Sequence, residues 1–243
     1  MNSRYQDAPG LTVSAQVLDL DMRQVFTRSA TLDLPADGTR QAFLLPPPDD
    51  TVSTTYFVRL TLNDAGGHTV GRSFYWLSRK AEVLDYAHDD WYVTPTRSYA
   101  DFTALGRLPR VAVTVKARHR REGGDTLSEV TVQNPSKSLA FFIRLQVTGG
   151  GEEVLPVFWE DNYLSLLPGE RRTVTARYRT SDLKGGRPEV LVSGWNVEEA
   201  RGSGAAQPGH EPDQRHQRHH AVGDAGQLPE LRRAGAQPDH QRQ

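Results

Sequence analysis

Leu139-Ala-Phe-Phe-Ile-Arg-Leu-Gln-Val147 is the stretch whose reading decides the fold. Leu139, Phe141, Ile143, Leu145 and Val147 recur at every second position. Side chains alternate across a strand, so a period of two gathers these five on one face, whereas a helix would scatter them around its axis. Downstream, Gly149-Gly-Gly151 turns the chain and 154–159 reads as the hairpin partner. Leu167-Pro-Gly-Glu170 is another turn, Val174, Ala176 and Tyr178 alternate again, and 190–197 makes a last strand. Upstream, Asn134-Pro135 closes a strand over 127–132, Glu122-Gly-Gly-Asp125 is a turn, and Val111, Val113 and Val115 alternate.

The N-terminal part repeats the pattern. Strands are expected over 11–17, 25–34, 41–45, 56–62 and 69–77, separated by Asp19-Leu20-Asp21, Pro35-Ala36-Asp37-Gly38, Pro46-Pro47-Pro48 and the 63–67 turn. Short strands at this spacing, with no long helix, give an all-β fold: two immunoglobulin-like antiparallel β-sandwiches in tandem. The expected division is a first sandwich at 1–78, a connector at 79–108, a C-terminal sandwich at 109–197 and a disordered tail at 198–243. The first module offers about five strands where about seven are usual, so it is expected to lack an N-terminal strand. The connector carries Trp91, Tyr92, Pro95, Tyr99 and Phe102 rather than Gly and Ser, which predicts that it packs against the modules. Within it, 98–108 is expected to hold a short helical turn, with Ser98 as N-cap and Asp101 in the first turn.

Composition narrows function. The chain has 243 residues, with 29 Lys plus Arg against 30 Asp plus Glu. This balance offers no electrostatic basis for a nucleic-acid or anionic-membrane partner. The absence of cysteine removes disulfides, thiolate metal sites and a cysteine nucleophile. No apolar run reaches the roughly 20 residues of a membrane span, and the first residues, Met1-Asn-Ser-Arg-Tyr-Gln-Asp7, hold no apolar stretch of signal-peptide length. Compartment is left open. Every Trp, Tyr and Phe precedes residue 196. The remainder, rich in Gln, Arg, His, Gly, Ala and Pro, cannot build a core; its composition suits an out-of-frame reading of a GC-rich gene, the alternative being a genuine, functional disordered tail.

Several motifs carry a family resemblance. Ser73-Phe-Tyr-Trp-Leu-Ser78, Glu82-Val-Leu-Asp-Tyr86, Trp91-Tyr-Val-Thr-Pro95 and Tyr99-Ala-Asp-Phe-Thr-Ala-Leu105 occur in order. They are followed by Leu139-Ala-Phe-Phe-Ile-Arg-Leu145, Val154-Leu-Pro-Val-Phe-Trp159, Asp161-Asn-Tyr163, Leu167-Pro-Gly-Glu170 and Ser193-Gly-Trp-Asn-Val197. Together they resemble the C-terminal immunoglobulin-like modules of family 2 glycoside hydrolases of the exo-β-D-glucosaminidase and β-mannosidase type, over about residues 3–197. The resemblance implies a retaining glycosidase parent that cleaves terminal β-linked glucosamine or mannose. It also implies a (β/α)8 barrel that holds both catalytic carboxylates. No alternating strand–helix pattern of barrel length is present here. The reading is therefore a non-catalytic scaffold fragment, with no catalytic residue, no metal and no cofactor, whose partner is the catalytic barrel if that is encoded separately. One alternative is a carbohydrate-binding module built on the connector; another is one chain of a split glycosidase.

Each candidate site has a structural reading beside it. Glu160 and Asp161 are adjacent, so on a strand they point to opposite faces and cannot form the close carboxyl pair that retaining hydrolysis needs; a turn is the expected role. Asp89-Asp90-Trp91, with Tyr92 and Tyr99, could form an aromatic sugar platform, but Trp91, Tyr92 and Tyr99 are expected to fasten the connector to the modules. Trp76, Trp159 and Trp195 lie in strand patterns and are expected in the core. His216, His219 and His220 are clustered but interleaved with arginine, and carry no metal role.

Overall fold

The computed structural model describes residues 1–202, Gly204 and the backbone of 206–207. Among the described residues the fold is all-β, interrupted only by 3-10 turns at Tyr86–His88, Thr103–Arg107 and Thr180–Leu183. The first region is one antiparallel sheet. Its strands are β1 (Ala8–Leu18), β2 (Gln24–Leu34), β3 (Thr55–Asn63) and β4 (Thr69–Ser78), in the order β2-β1-β3-β4. The connector contributes β5 (Val83–Leu84) and β6 (Thr96–Ser98), which pair with each other.

Two sheets follow, built from β7 (Thr114–Glu122), β8 (Asp125–Gln133), β9 (Ala140–Gly149), β10 (Glu152–Glu153), β11 (Phe158–Trp159), β12 (Leu164–Leu166), β13 (Arg171–Arg179), β14 (Pro188–Ser193), β15 (Ala200–Gly202) and β16 (Ala206–Gln207). One runs β10-β9-β14-β15 with β12 also on β9; the other runs β11-β13-β8-β7-β16. Between them lies the main core, where Val130, Val132, Ile143, Leu166, Val190 and Val192 are fully buried. Each such side chain contributes about 1.5–3 kcal/mol by leaving water.

Three expectations about strands are corrected. The stretch 41–45 forms no strand; the three prolines that follow it have no N–H to carry a ladder onward, so a strand started there could not extend. The region 1–78 therefore forms a single sheet, without a second layer among its own strands. The hairpin onto β9 reaches only to Val154, whose N–H donates to the Val147 carbonyl: the chain then leaves that sheet, and Phe158–Trp159 joins the opposite one beside β13. The ordered chain also runs past 197, because Ala200–Gly202 pairs with β14 across Val190–Val192. Apart from Gly204 and the backbone of 206–207, the rest of the expected tail, with the His216, His219 and His220 cluster, lies outside the described residues.

The alternation over Leu139–Val147 is also broken once. Phe142 has φ 54°, so Ala140 and Ile143 both face the sandwich core, while Leu139 and Phe141 face the first sheet. The strand thus serves two cores. Phe141 packs against Phe57 (centroids 5.8 Å apart) and edge-on against Trp76 (5.3 Å), not against the opposite sheet of its own sandwich. Phe142 is half-buried beside Trp76 and Tyr163. The αL residue rotates the backbone between the two phenylalanines, so a strict period of two could not hold across them.

Buried and half-buried asparagines tie these irregular segments. Asn196 accepts from the Phe141 N–H (2.8 Å) and donates to the carbonyls of Pro109 and Leu139 (2.7 Å each). Asn162 accepts from the Leu145 N–H and donates to its carbonyl, standing in for a strand neighbour. Asn134 donates to Ser138 and Leu166 carbonyls at the turn before β9. Such side chains satisfy backbone groups that the broken ladders leave unpaired.

Candidate functional site

The connector does not pack as expected. Trp91 is 88% exposed, Tyr92 69% and Tyr99 68%, and Tyr86 also projects into solvent. Trp91 and Tyr92 touch only edge to face, with centroids 4.5 Å apart. The reason is local: the β5–β6 ribbon and the Tyr86–His88 turn close on their own hydrogen bonds. Asp85 and Asp90 pair through their backbones with Pro95 and Val93, and the Asp89 carboxylate accepts from the Thr94 hydroxyl (2.6 Å). The segment orders itself without burying its rings. Only its last turn enters a core, through Leu105 and Leu108. That turn is Thr103–Arg107, and Ser98 belongs to β6 rather than capping it. The Asp101 carboxylate instead accepts from the Thr103 hydroxyl and N–H, which holds its pKa below the ordinary aspartate value.

The three remaining tryptophans divide. Trp159 is half-buried against the sandwich core. Trp76 lies at the junction of the first sheet with the sandwich, edge-on to Phe141 and Phe142 and 37% exposed. Trp195 is 58% exposed and donates its indole N–H to the Leu105 carbonyl (2.8 Å), so it clamps the connector rather than filling the core.

Glu160 and Asp161 have structural partners. Glu160 accepts from the Thr175 N–H and hydroxyl, and Asp161 pairs with Arg172 at 2.8 Å. No described His, Asp and Glu side chains gather three together as a metal site.

Sequence reading missed a cleft of about 170 Å³ at the junction of the first sheet and the sandwich. Arg59, Arg72, Phe74 and Trp76 line it from β3 and β4, and Asp161, Tyr163, Ser165, Glu170 and Arg172 from the sandwich. Arg59 and Glu170 form a partly buried ion pair at 2.9 Å across it. These residues span more than a hundred positions of sequence, so no local motif announces them together; Phe74, Trp76, Asp161, Tyr163 and Glu170 fall in the motifs quoted above, whereas Arg59, Arg72, Ser165 and Arg172 do not.

A second internal feature is a polar chain in the sandwich. His119 Nδ1 lies 2.7 Å from Ser128 Oγ, which lies 2.9 Å from the Tyr178 hydroxyl. Burial pushes the His119 pKa down and the Tyr178 pKa up. Among the described residues, His119 Nε2 has no hydrogen-bond partner.

Residues 91–197 match the family described as the exo-beta-D-glucosaminidase Ig-fold domain. The chain is 43% identical over 206 residues to the exo-beta-D-glucosaminidase of Streptomyces avermitilis, covering 82% of this chain and 23% of that protein. It is 38% identical over 202 residues to the enzyme of the same name from Amycolatopsis orientalis, covering 81% and 20%. It also superposes on the crystal structure of the Amycolatopsis orientalis exo-chitosanase CsxA with a TM-score of 0.77, at 38% identity, over 81% of this chain and 24% of that one. The chain thus spans under a quarter of the length of these relatives, and it corresponds to an immunoglobulin-like part of the exo-β-D-glucosaminidases.

Proposed function

We propose that this chain is a non-catalytic scaffold that docks on a (β/α)8 catalytic domain of exo-β-glucosaminidase type through its connector. The carrying observation is the row of exposed aromatics, Tyr86, Trp91, Tyr92 and Tyr99, on a segment whose backbone is already ordered. A rigid exposed aromatic patch is the usual anchor of a protein interface. The apolar strip of the first sheet, with Tyr75 and Leu77 exposed, is a second surface for the same partner. The adjacent carboxyls Glu160 and Asp161 are engaged by Thr175 and Arg172, not poised as the close free pair that retaining hydrolysis needs. The barrel belongs either to the same polypeptide or to a separate chain of a split enzyme.

The test measures turnover of p-nitrophenyl β-glucosaminide and β-mannoside. The chain alone should match the background reaction. Added to the Streptomyces avermitilis relative expressed without its matching segment, it should restore activity, and Trp91→Ala should weaken that restoration. Turnover by the chain alone, abolished in Glu160→Gln or Asp161→Asn, would sink the scaffold reading.

A second reading, a carbohydrate-binding module, rests on Asp89 and Asp90 beside the exposed Trp91 and Tyr92 rings. Affinity electrophoresis on chitosan, chitin and mannan separates the two. Retardation that disappears in Trp91→Ala favours the module; migration unchanged by polysaccharide favours docking.

A further inference from the structure

The cleft at the junction holds aromatic and charged groups together in a way that packing alone does not require. Trp76 and Tyr163 both line it, Tyr163 being 51% exposed, and both rest on Phe142 with ring centroids 5.6 and 5.0 Å away. Phe142 and Tyr163 have φ of 54° and 55°. The left-handed conformation disfavours a residue with a Cβ. Two neighbouring aromatics are thus held in place against their local backbone preference.

The charges around them are arranged unevenly. Arg59 is paired with Glu170, and Arg172 with Asp161. Glu170 is fully engaged, because its other oxygen accepts from the Leu167 N–H at 3.0 Å. Arg72 lines the same cleft and forms no ion pair with any described residue. Two pairs cancel and one guanidinium remains, so the cleft carries a net positive charge beside two partly exposed rings. At ~30 Å³ per water its volume corresponds to about five waters. That is the scale of one small ring with a charged substituent, the rest of a chain projecting outward.

We propose that this cleft binds a sugar unit bearing an anionic group, with the anion on Arg72 and the ring against Trp76 and Tyr163. Guanidinium pairs carboxylate, sulfate or phosphate oxygens through directed N–H donors, and aromatic faces take the C–H side of a sugar ring. A neutral sugar leaves Arg72 unengaged, and a protonated amino sugar is repelled by it. This proposal stands apart from the scaffold reading: the cleft lies between the modules of this chain and uses no connector aromatic.

The test is titration of the full chain at constant ionic strength, following tryptophan indole and arginine side-chain NMR signals. The probes are methyl β-D-glucuronide, methyl β-D-glucoside, methyl β-D-glucosaminide and inorganic sulfate. The glucuronide should shift the Trp76 and Arg72 signals and saturate at about tenfold lower concentration than the glucoside, the effect of one charge-assisted hydrogen bond. Arg72→Gln should erase that difference; Arg72 sits on an edge strand in solvent, and the same spectrum reports whether the fold is intact. Tyr163→Asn, which keeps a residue tolerant of positive φ, should weaken the glucuronide and leave sulfate unchanged. Four outcomes overturn the proposal: no saturable shift with glucuronide, equal or tighter binding of the glucosaminide, sulfate as tight as glucuronide, or an Arg72→Gln variant that behaves as the parent.

Discussion

The longest strands of the first sheet and of the sandwich are similar in length, yet the sandwich encloses an extended core while the first sheet buries only a small cluster of its own, Val17, Tyr56 and Val58 against Val52. In the first sheet β4 contains no buried residue and β2 only Leu34. In the sandwich, β8 and β13 bury every second side chain, and β9 buries six of its ten residues. The difference lies in closure. The first sheet uses one end of one face, through Leu18, Phe57, Phe74 and Trp76, to pack on the sandwich. Its other face buries Val17, Tyr56 and Val58 against Val52 but leaves Val13, Leu32, Leu60 and Leu62 only half-covered. The sandwich closes because its chain departs from regularity: it crosses between sheets after β10, turns through αL at Phe142, and fixes those departures with buried asparagines. Regular strands make a sheet; the irregular segments between them make the enclosed core.

The largest expected effect breaks the comparison at its seam. Phe141 belongs to both regions, so Phe141→Ala should destabilise the protein by about 3–5 kcal/mol, as removal of a buried aromatic does. The matching change in the half-covered face, Val13→Ala, should cost only about 1 kcal/mol, since it removes two methyl groups from a partly wet site. Urea denaturation of both variants measures the contrast. Equal losses would mean that the uncovered face is as enclosed as the seam.

Asn196→Ala is next. It orphans the Phe141 N–H and two carbonyls, Pro109 and Leu139, in a site that is 2% exposed. Each unsatisfied buried group costs about 1–3 kcal/mol, and water can relieve some of them, so about 3 kcal/mol is expected. A loss under about 1 kcal/mol, with the Trp195 indole signal unmoved, would show that the asparagine does not hold the junction.

Most of the fold was legible in the sequence because period-two alternation and Gly/Pro/Asn turns are local signals. The strands at 11–17, 25–34, 56–62, 69–77 and 127–132 all appear close to where the pattern puts them. What alternation could not reveal is where a strand changes allegiance. Leu139 and Phe141 read as one face with Ile143 because nothing local marks Phe142 as left-handed; the conformation comes from the packing of Trp76, Tyr163 and Asn196 around it. The connector failed for a related reason. Aromatic content signals an interest in burial, but Trp91, Tyr92 and Tyr99 find nothing within the described residues to be buried against. The junction cleft was invisible because Arg59, Arg72 and Arg172 meet only after the sheet docks.

Hydrogen exchange sharpens the comparison without mutation. Ile143–Val147 lies in the middle of a closed sandwich, whereas β2 is an edge strand of a half-covered sheet. The β2 amides that donate to β1 should exchange at least about 100-fold faster than those of Leu145 and Val147, because opening the edge exposes little new apolar surface. Equal protection would mean that both regions open only by global unfolding.

The smallest effect is a pH dependence confined to the sandwich. His119 is buried among Ser128 and Tyr178, and burial lowers its pKa. Its folded value is therefore below its unfolded value of about 6.5. Between those two values the unfolded chain binds the extra proton and the folded chain does not, so stability falls as the pH drops below about 6.5 and is level above it. Tyr178, the titratable group in the same chain, has its pKa raised by burial and stays neutral throughout this window. The carboxylates with lowered pKa, Asp49, Asp64 and Asp101, act in the same direction but only in the acid range around and below their ordinary value of 3.8. The two windows can be separated. His119→Gln keeps an amide able to reach Ser128 and removes the titration, so it should flatten the melting temperature between pH 7 and pH 5 and leave the acid limb unchanged. The same slope in parent and variant would assign the dependence to other groups and remove His119 from the list of features that distinguish the closed region from the open one.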